Sequence, residues 1–388
     1  MERTLLTASQ GILGKNLERT ENPAIVVENG KIIYAGSIEE GKKQYPDAKV
    51  IDLGNKTLMP GMIDCHSHTS MDARVKGHLE MMNDPAPELA LRAVRYAYDD
   101  IMSGITTARI LGDKHYVDVS LRDAINRGEL PGPRLLVAGI GMRSIHGHGF
   151  VGVPHTGKQE FRETSRNNML HKVQWLKVFV TAGAPPVSGD YIPSFISLGE
   201  IKTVTGEAKR MGISTSAHCI GGEGLINCVK GGIDVIDHAY CATDEDLELI
   251  KEKGRWVCLT PSVFMDLGRN ENNTPAVMKN TELGRERVTE TMKRIVKSGV
   301  KYAIGSDALH GSMALEAYYA TVLGASNREA LEGITVKAAE LCRTDCITGS
   351  LEEGKAADII AVAGNPLEDI KALKDVSFVM KEGKIFKQ

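Results

Sequence analysis

The chain reads as an α/β protein: a (β/α)8 TIM barrel with a small β-sandwich domain built from both termini. Three observations predict this. Short apolar segments alternate with helical patterns eight times over roughly 290 residues, near the size of about 250 typical of such a barrel. Both ends of the chain instead read as short strands broken by turns. No GxGxxG loop follows the first strand of the middle region, which disfavours the alternative, a doubly wound open sheet.

Residues 1–56 and 351–388 are assigned to the β-domain and 57–350 to the barrel. AIVVENGKIIYAGS at 24–37 is a hairpin pattern with Asn29-Gly30 at the turn, a pair that suits a type I′ turn. The C-terminal end repeats the style in ADIIAVAGNP at 357–366 and VSFVMKEGKIFKQ at 376–388, with a turn at Glu382-Gly383. Between the ends, strands are expected at 58–66, 105–111, 134–140, 175–180, 213–218, 234–239, 255–260 and 301–306. Helices are expected at 86–102, 117–127, 160–172, 199–211, 223–230, 243–253, 283–297 and 314–325. Val288, Met292, Ile295 and Val296 keep helical spacing ahead of Gly299. KRMGIS, KEKGRW and KSGVKY each pair a basic helix end with a glycine that starts the next strand.

The 388 residues are 42% hydrophobic and 25% charged, enough to bury a large core. A formal net charge of -3 gives no reason to expect nucleic acid or an acidic membrane as partner. MERTLLTASQ lacks the basic and apolar regions of a signal peptide, and no apolar stretch approaches the ~18 residues of a membrane span. The seven cysteines are scattered without a CxxC pair, which suits reduced thiols and a cytoplasmic location. The expected assembly is a homo-oligomer.

Catalytic groups of such a barrel sit at the C-terminal ends of its strands. Those ends supply His66 and His68, then Lys177, His218, His238 and Asp307. His66 and His68 are two residues apart in MPGMIDCHSH, so a strand presents both imidazoles on one face. Neutral imidazoles and a carboxylate suit zinc and its neighbours. Lys177, in WLKVFV, is costly in a packed barrel unless paired or deprotonated. A neutral amine there can add carbon dioxide, giving a carboxylated lysine whose two oxygens bridge two divalent metal ions. Two ions about 3.5–4 Å apart can hold a bridging hydroxide and polarise a carbonyl, with Asp307 relaying the proton. Cys65 and Cys219 adjoin proposed ligands and are turned away by alternation.

These segments resemble the amidohydrolase superfamily. LMPGMIDCHSH resembles its first-strand motif and GITTARILGD its second. GPRLLVAGIGMRSIHGHG at 132–149 is similar to the third-strand region. SAHC and IDHA resemble the fifth and sixth strands, AIGSDALHG the eighth, and ITGSLEEGKAADIIAV the segment returning to the β-domain. The nearest likeness is to the imidazolonepropionase-related group with its prolidase-like and Xaa-Arg/Lys carboxypeptidase-like enzymes. The resemblance implies a binuclear zinc hydrolase in which His66, His68 and Asp307 hold the inner ion, His218 and His238 the outer one, and carboxylated Lys177 bridges them. The chain departs from the pattern where Ile110 follows Arg109, and where His146 precedes Gly147 and His148.

His148 is placed to hydrogen-bond the substrate carbonyl or a carboxylate, and Tyr240 to donate to the developing oxyanion. Arg143 is either a bidentate partner of a substrate carboxylate or a surface arginine. His146 and His310 receive no role. LEEGKAAD at 351–358 reads as a solvated turn. The expected substrate is a small amide, a dipeptide or N-acyl amino acid. The alternatives are a mononuclear deaminase or cyclic-amide hydrolase, a lactonase or phosphotriesterase-like activity, and a non-catalytic scaffold.

Overall fold

A computed structural model describes residues 3–186 and 189–388, so the first two residues of the 1–56 segment lie outside it. Eight strands, in two sets each paired in parallel, carry the middle of the chain. They are β1 (Met62–Ser67), β2 (Ile105–Ile110), β3 (Arg134–Val137), β4 (Trp175–Phe179), β5 (Ser214–Cys219), β6 (Val235–His238), β7 (Trp256–Leu259) and β8 (Lys301–Ile304). β1–β2–β3 pair in parallel, as do β4 through β8. The Gln174 N–H donates to Val137 O at 3.0 Å beside the gap between the two sets. Just past β8, the Asp307 N–H donates to His66 O of β1 at 2.7 Å.

Helices lie between successive strands, and their apolar stripes supply the main core. The longest, Pro275–Lys297, buries Val288, Met292 and Ile295 on one face, each worth about 1.5–3 kcal/mol once removed from water. Gly212 closes helix Leu198–Met211 at φ 68°, a left-handed position where a side chain would be strained. No helix among the described residues is long and apolar enough to cross a membrane.

Two further sheets draw on both ends of the chain. One runs Lys31–Ser37, Pro23–Glu28, Thr4–Thr7, Lys49–Asp52. The other runs Lys384–Lys387, Val376–Lys381, Ile359–Val362, Thr57–Pro60, Gln10–Leu13, Glu18–Glu21. Leu6, Ile25 and Val27 of the first pack with Leu58, Ile359 and Phe378 of the second in one buried cluster. Asn29 and Gly30 both have positive φ, 51° and 77°, as the expected hairpin turn requires.

Most boundaries shift by one to three residues from expectation, and three of the differences have a visible cause. The strand expected at 58–66 is two: Thr57–Pro60 joins the terminal sheet and Met62–Ser67 the parallel set. Gly61 lies between them, and a Cβ there would collide with Thr106. The third strand stops at Val137 rather than 140, because Gly139 turns left-handed at φ 67°, and pairing with β4 resumes at Met142. The helix expected from 283 begins at Pro275, capped by Thr274. Its first turn, PAVM, is followed by the polar Lys279, Asn280 and Glu282, which interrupt the apolar period.

Candidate metal centre

The structure brings His66, His68, His218, His238 and Asp307 to the wall of a single cavity at the C-terminal strand ends. Asp64 positions the first of them. Its Oδ1 accepts the backbone N–H groups of His66 (3.0 Å) and Ser306 (2.9 Å), tying β1 to the turn after β8. Three imidazoles are oriented by a bond on one nitrogen. His68 Nδ1 donates to Gly112 O at 2.8 Å, His218 Nε2 donates to Ala182 O at 3.0 Å, and His238 Nδ1 meets Thr260 Oγ1 at 2.8 Å. A carbonyl can only accept, so in His68 and His218 the second nitrogen keeps its lone pair for the centre.

Left-handed backbone accompanies the candidate ligands. His238, Ala239, Asp307 and Ala308 have φ of 74°, 51°, 51° and 64°, each costing about 1–3 kcal/mol unless the surroundings enforce it. Arg269 supplies part of that enforcement, its guanidinium donating to Ser306 O and Asp307 O, both at 2.6 Å.

Within the cluster, Asp307 Oδ1 lies 3.3 Å from His66 Nε2 and 3.6 Å from His68 Nε2. The His66 and His238 rings are 4.8 Å apart, as are those of His218 and His238. Candidate donor atoms of His66, His238 and Asp307 fall within 4.8 Å of one another. Burial pushes His68 down to about 3 and holds His218 and His238 well below the usual histidine range. Burial would raise the Asp307 carboxyl, but His66 against it and Arg269 behind it hold it well below the usual range. Neutral imidazoles with an ionised carboxylate form a donor set that fits a divalent ion.

A charged layer lies beneath. Lys177 is fully buried and its ammonium donates to Asp237. Asp237 also accepts from Ser216 Oγ at 2.8 Å and from Arg109 Nη2 at 3.2 Å. Arg109, equally buried, donates to Cys65 O and packs over the Trp175 ring at 4.5 Å. Burial lowers Lys177 against the pull of Asp237. Burial would raise Asp237, which Lys177, His66 and Arg109 together bring well below the usual range. His66 Nδ1 stands 3.3 Å from Asp237 Oδ1 without a well-directed hydrogen bond. Two cations thus share one carboxylate, and only the lysine can give up its proton. Arg109→Leu is expected to cost about 1–3 kcal/mol, since Cys65 O loses its buried donor while Asp237 keeps Lys177 and Ser216. The midpoint of urea unfolding measures the loss.

His148 lines the cavity with its ring 4.5 Å from that of His218, and burial pushes it down to about 4. Tyr240 also lines it, but its hydroxyl donates to Thr260 O at 3.1 Å and lies 2.6 Å from Thr260 Oγ1. Its proton is thereby directed at β7's end rather than into the cavity. Arg143 is outside the cavity wall, with Nη1 donating to the carbonyls of Ser144, Ile145 and Gly147 to hold its own loop. His146 meets Ser144 Oγ at 2.9 Å and the edge of Phe195. His310 is structural: Nδ1 donates to Asp100 at 2.9 Å and Nε2 faces the carbonyls of His68 and Met71. Asp100 counters its burial and raises it to about 9. Cys65 faces outward, 3.8 Å from Cys342 Sγ.

Sequence reasoning missed Asp237, Cys258, Thr260, Arg269 and Glu316. Asp237 stood in the quoted IDHA, but strict alternation opposes it to His238. The left-handed turn at His238 breaks the alternation and lets both face inward. Cys258 lies one layer below the strand ends, near His66 and Asp237. Glu316 is fully buried, with Oε2 accepting the Ser262 N–H at 3.0 Å and Oε1 unpaired. Burial raises it to about 8. A raised carboxyl contributes stability at low pH that is lost as pH rises toward its folded value. Stability of Glu316→Gln relative to wild type is therefore expected to improve between pH 5 and 8. Parallel thermal melts across that range check the sign.

Comparison with known proteins decides the family. Residues 57–386 match the amidohydrolase family. The chain belongs to that family. It is 28% identical to an ochratoxinase of Aspergillus niger, covering 95% of this chain and 84% of that one. It is 23% identical to an imidazolonepropionase of Clostridium tetani, covering 90% and 87%. Among solved structures, this amidohydrolase superposes on a Xaa-Pro dipeptidase with bound methionine in its active site. The TM-score is 0.87 at 28% identity, covering all of both chains.

Proposed function

We propose that this amidohydrolase is a binuclear, zinc-type metal-dependent hydrolase that cleaves an amide bond in a dipeptide or N-acyl amino acid. The carrying observation is the convergence of four histidines and an ionised aspartate on one cavity, directly above a buried lysine with surplus positive charge beside it. His66, His68 and Asp307 would hold one ion, His218 and His238 the other, and Lys177, once carboxylated, would join them. When bound, the ions supply an activated water and polarise the scissile carbonyl. Carboxylation would also turn the Lys177 cation beside Asp237 and Arg109 into an anion, reversing the net charge of the buried layer to the sign that suits bound metal cations.

The chain's own groups do the rest. Asp307, kept ionised, accepts the proton of the attacking water and passes it to the departing amine. His148, neutral and beside His218, is placed to donate to the substrate's carbonyl oxygen. Tyr240 acts through its hydroxyl if substrate draws it from Thr260. The link from Asp307 N–H to His66 O supports closure of the eight strands into a barrel, and the shared core of the terminal sheets supports a small β-sandwich domain from 1–56 and 351–388. Thr57–Pro60 belongs with that domain by its pairing.

The test is a screen of dipeptides and N-acyl amino acids before and after removal of metal by a chelator. Turnover that is lost on chelation and restored by zinc supports the reading. Turnover unaffected by complete metal removal overturns it.

A further inference from the structure

The cavity beside the histidines has a volume of about 290 Å³. Its wall is largely apolar, with Leu79, Phe150, Phe179, Val263, Phe264 and Val277, and its polar members beyond the metal-binding end, His78, Asn273, Asn280 and Thr281, bring no carboxylate. Phe264 is buried with its ring against that of Tyr240, at 4.8 Å and 72°. Phe150 is 56% exposed at the mouth, so an apolar group seated there removes its surface from water.

The charges tell the other half. Among the described residues that line the cavity, Asp307 is the one carboxylate and Arg269 the one permanent cation. Both are engaged, Asp307 by His66 and His68, and Arg269 by Ser262 Oγ and the carbonyls of Ser306 and Asp307. No carboxylate remains to receive an ammonium or guanidinium, and an unpaired cation loses its hydration on entry. Attraction to the aromatic faces does not compensate. Arg269 already places a permanent positive charge in the cavity wall, and the ions of the metal-loaded site would add to it.

We propose that this cavity selects a substrate with an uncharged bulky side chain, aromatic or branched aliphatic, and rejects basic ones. The inference rests on the amide-hydrolase reading above and names the substrate class of that same site.

The zinc-loaded enzyme is tested on N-acetyl-phenylalanine, N-acetyl-leucine and N-acetyl-arginine, in which the scissile bond and α-carboxylate are constant and only the side chain varies. The phenylalanine and leucine compounds are expected to exceed the arginine compound in kcat/KM by about 100-fold. Val277→Asp places a carboxylate on the wall. It falls at the third residue of helix Pro275–Lys297, where the helix N-terminus favours an acid, so the variant is expected to fold. It should narrow the ratio at least about tenfold by improving the arginine compound. An arginine compound equal to or better than phenylalanine in the wild type overturns the inference, as does an unchanged ratio in folded Val277→Asp. Failure to hydrolyse any of the three contradicts the amide-hydrolase reading instead.

Discussion

Lys177→Ala is expected to lower kcat/KM by at least about 10³-fold and to take the metal content from close to two ions per chain to close to one. The side chain is wholly buried among Asp237, Arg109 and Phe179, so its loss cannot be made good by solvent. Asp237 keeps Arg109 and Ser216 as partners in the variant, which favours retention of the fold. Circular dichroism and urea unfolding separate a folded, inactive protein from a collapsed one. A second readout reports the carboxylated state itself. In ¹³C-bicarbonate the wild type should gain a carbamate carbon resonance that Lys177→Ala lacks. A variant with full activity and unchanged metal content would remove the bridging role.

Asp307→Asn is expected to lower kcat by about 10²–10⁴-fold, the range for loss of a general acid–base group. The backbone at this position is held independently of the carboxylate, since the Asp307 N–H bonds His66 O and its own carbonyl accepts from Arg269. The amide side chain therefore enters the same left-handed turn, and thermal stability should change little. Because burial alone would raise this carboxyl and His66 and Arg269 overrule it, wild-type Asp307 is ionised throughout the neutral range. Rate measurements at saturating substrate, with metal content matched between the two proteins, check the loss.

Much of the architecture was legible because its signals are local. The helix expected at 86–102 is found at Ala86–Met102, where an amphipathic stripe runs the full length. The Asn29-Gly30 and Glu382-Gly383 turns announce themselves because both residues of each must take positive φ. The departures come from non-local causes. Gly61 divides one apolar run between two sheets because Thr106 of the neighbouring strand leaves no room for a side chain. Helix Pro275–Lys297 starts early because a Thr274 cap and Pro275 set its N-terminus, independently of apolar periodicity.

The site divides the same way. His66, His68, His218, His238 and Asp307 could be picked out because polar groups ending apolar strands are unusual. Asp237 hid behind the alternation rule, which holds only while the backbone stays extended, and His238 at φ 74° ends that condition. Thr260, Arg269 and the cavity-wall aromatics Phe150 and Phe264 come from loops and short helices whose position is set by packing. Arg269 lies 38 residues before Asp307 and touches its carbonyl, a relation with no local pattern to reveal it.

Six residues at the ends of five strands are proposed to form a two-metal centre joined through Lys177. Elemental analysis of the protein, purified and reconstituted with zinc, counts those ions against chains. Close to two ions per wild-type chain are expected, falling in Lys177→Ala. A wild-type content that saturates at one ion or none would contradict the two-metal centre.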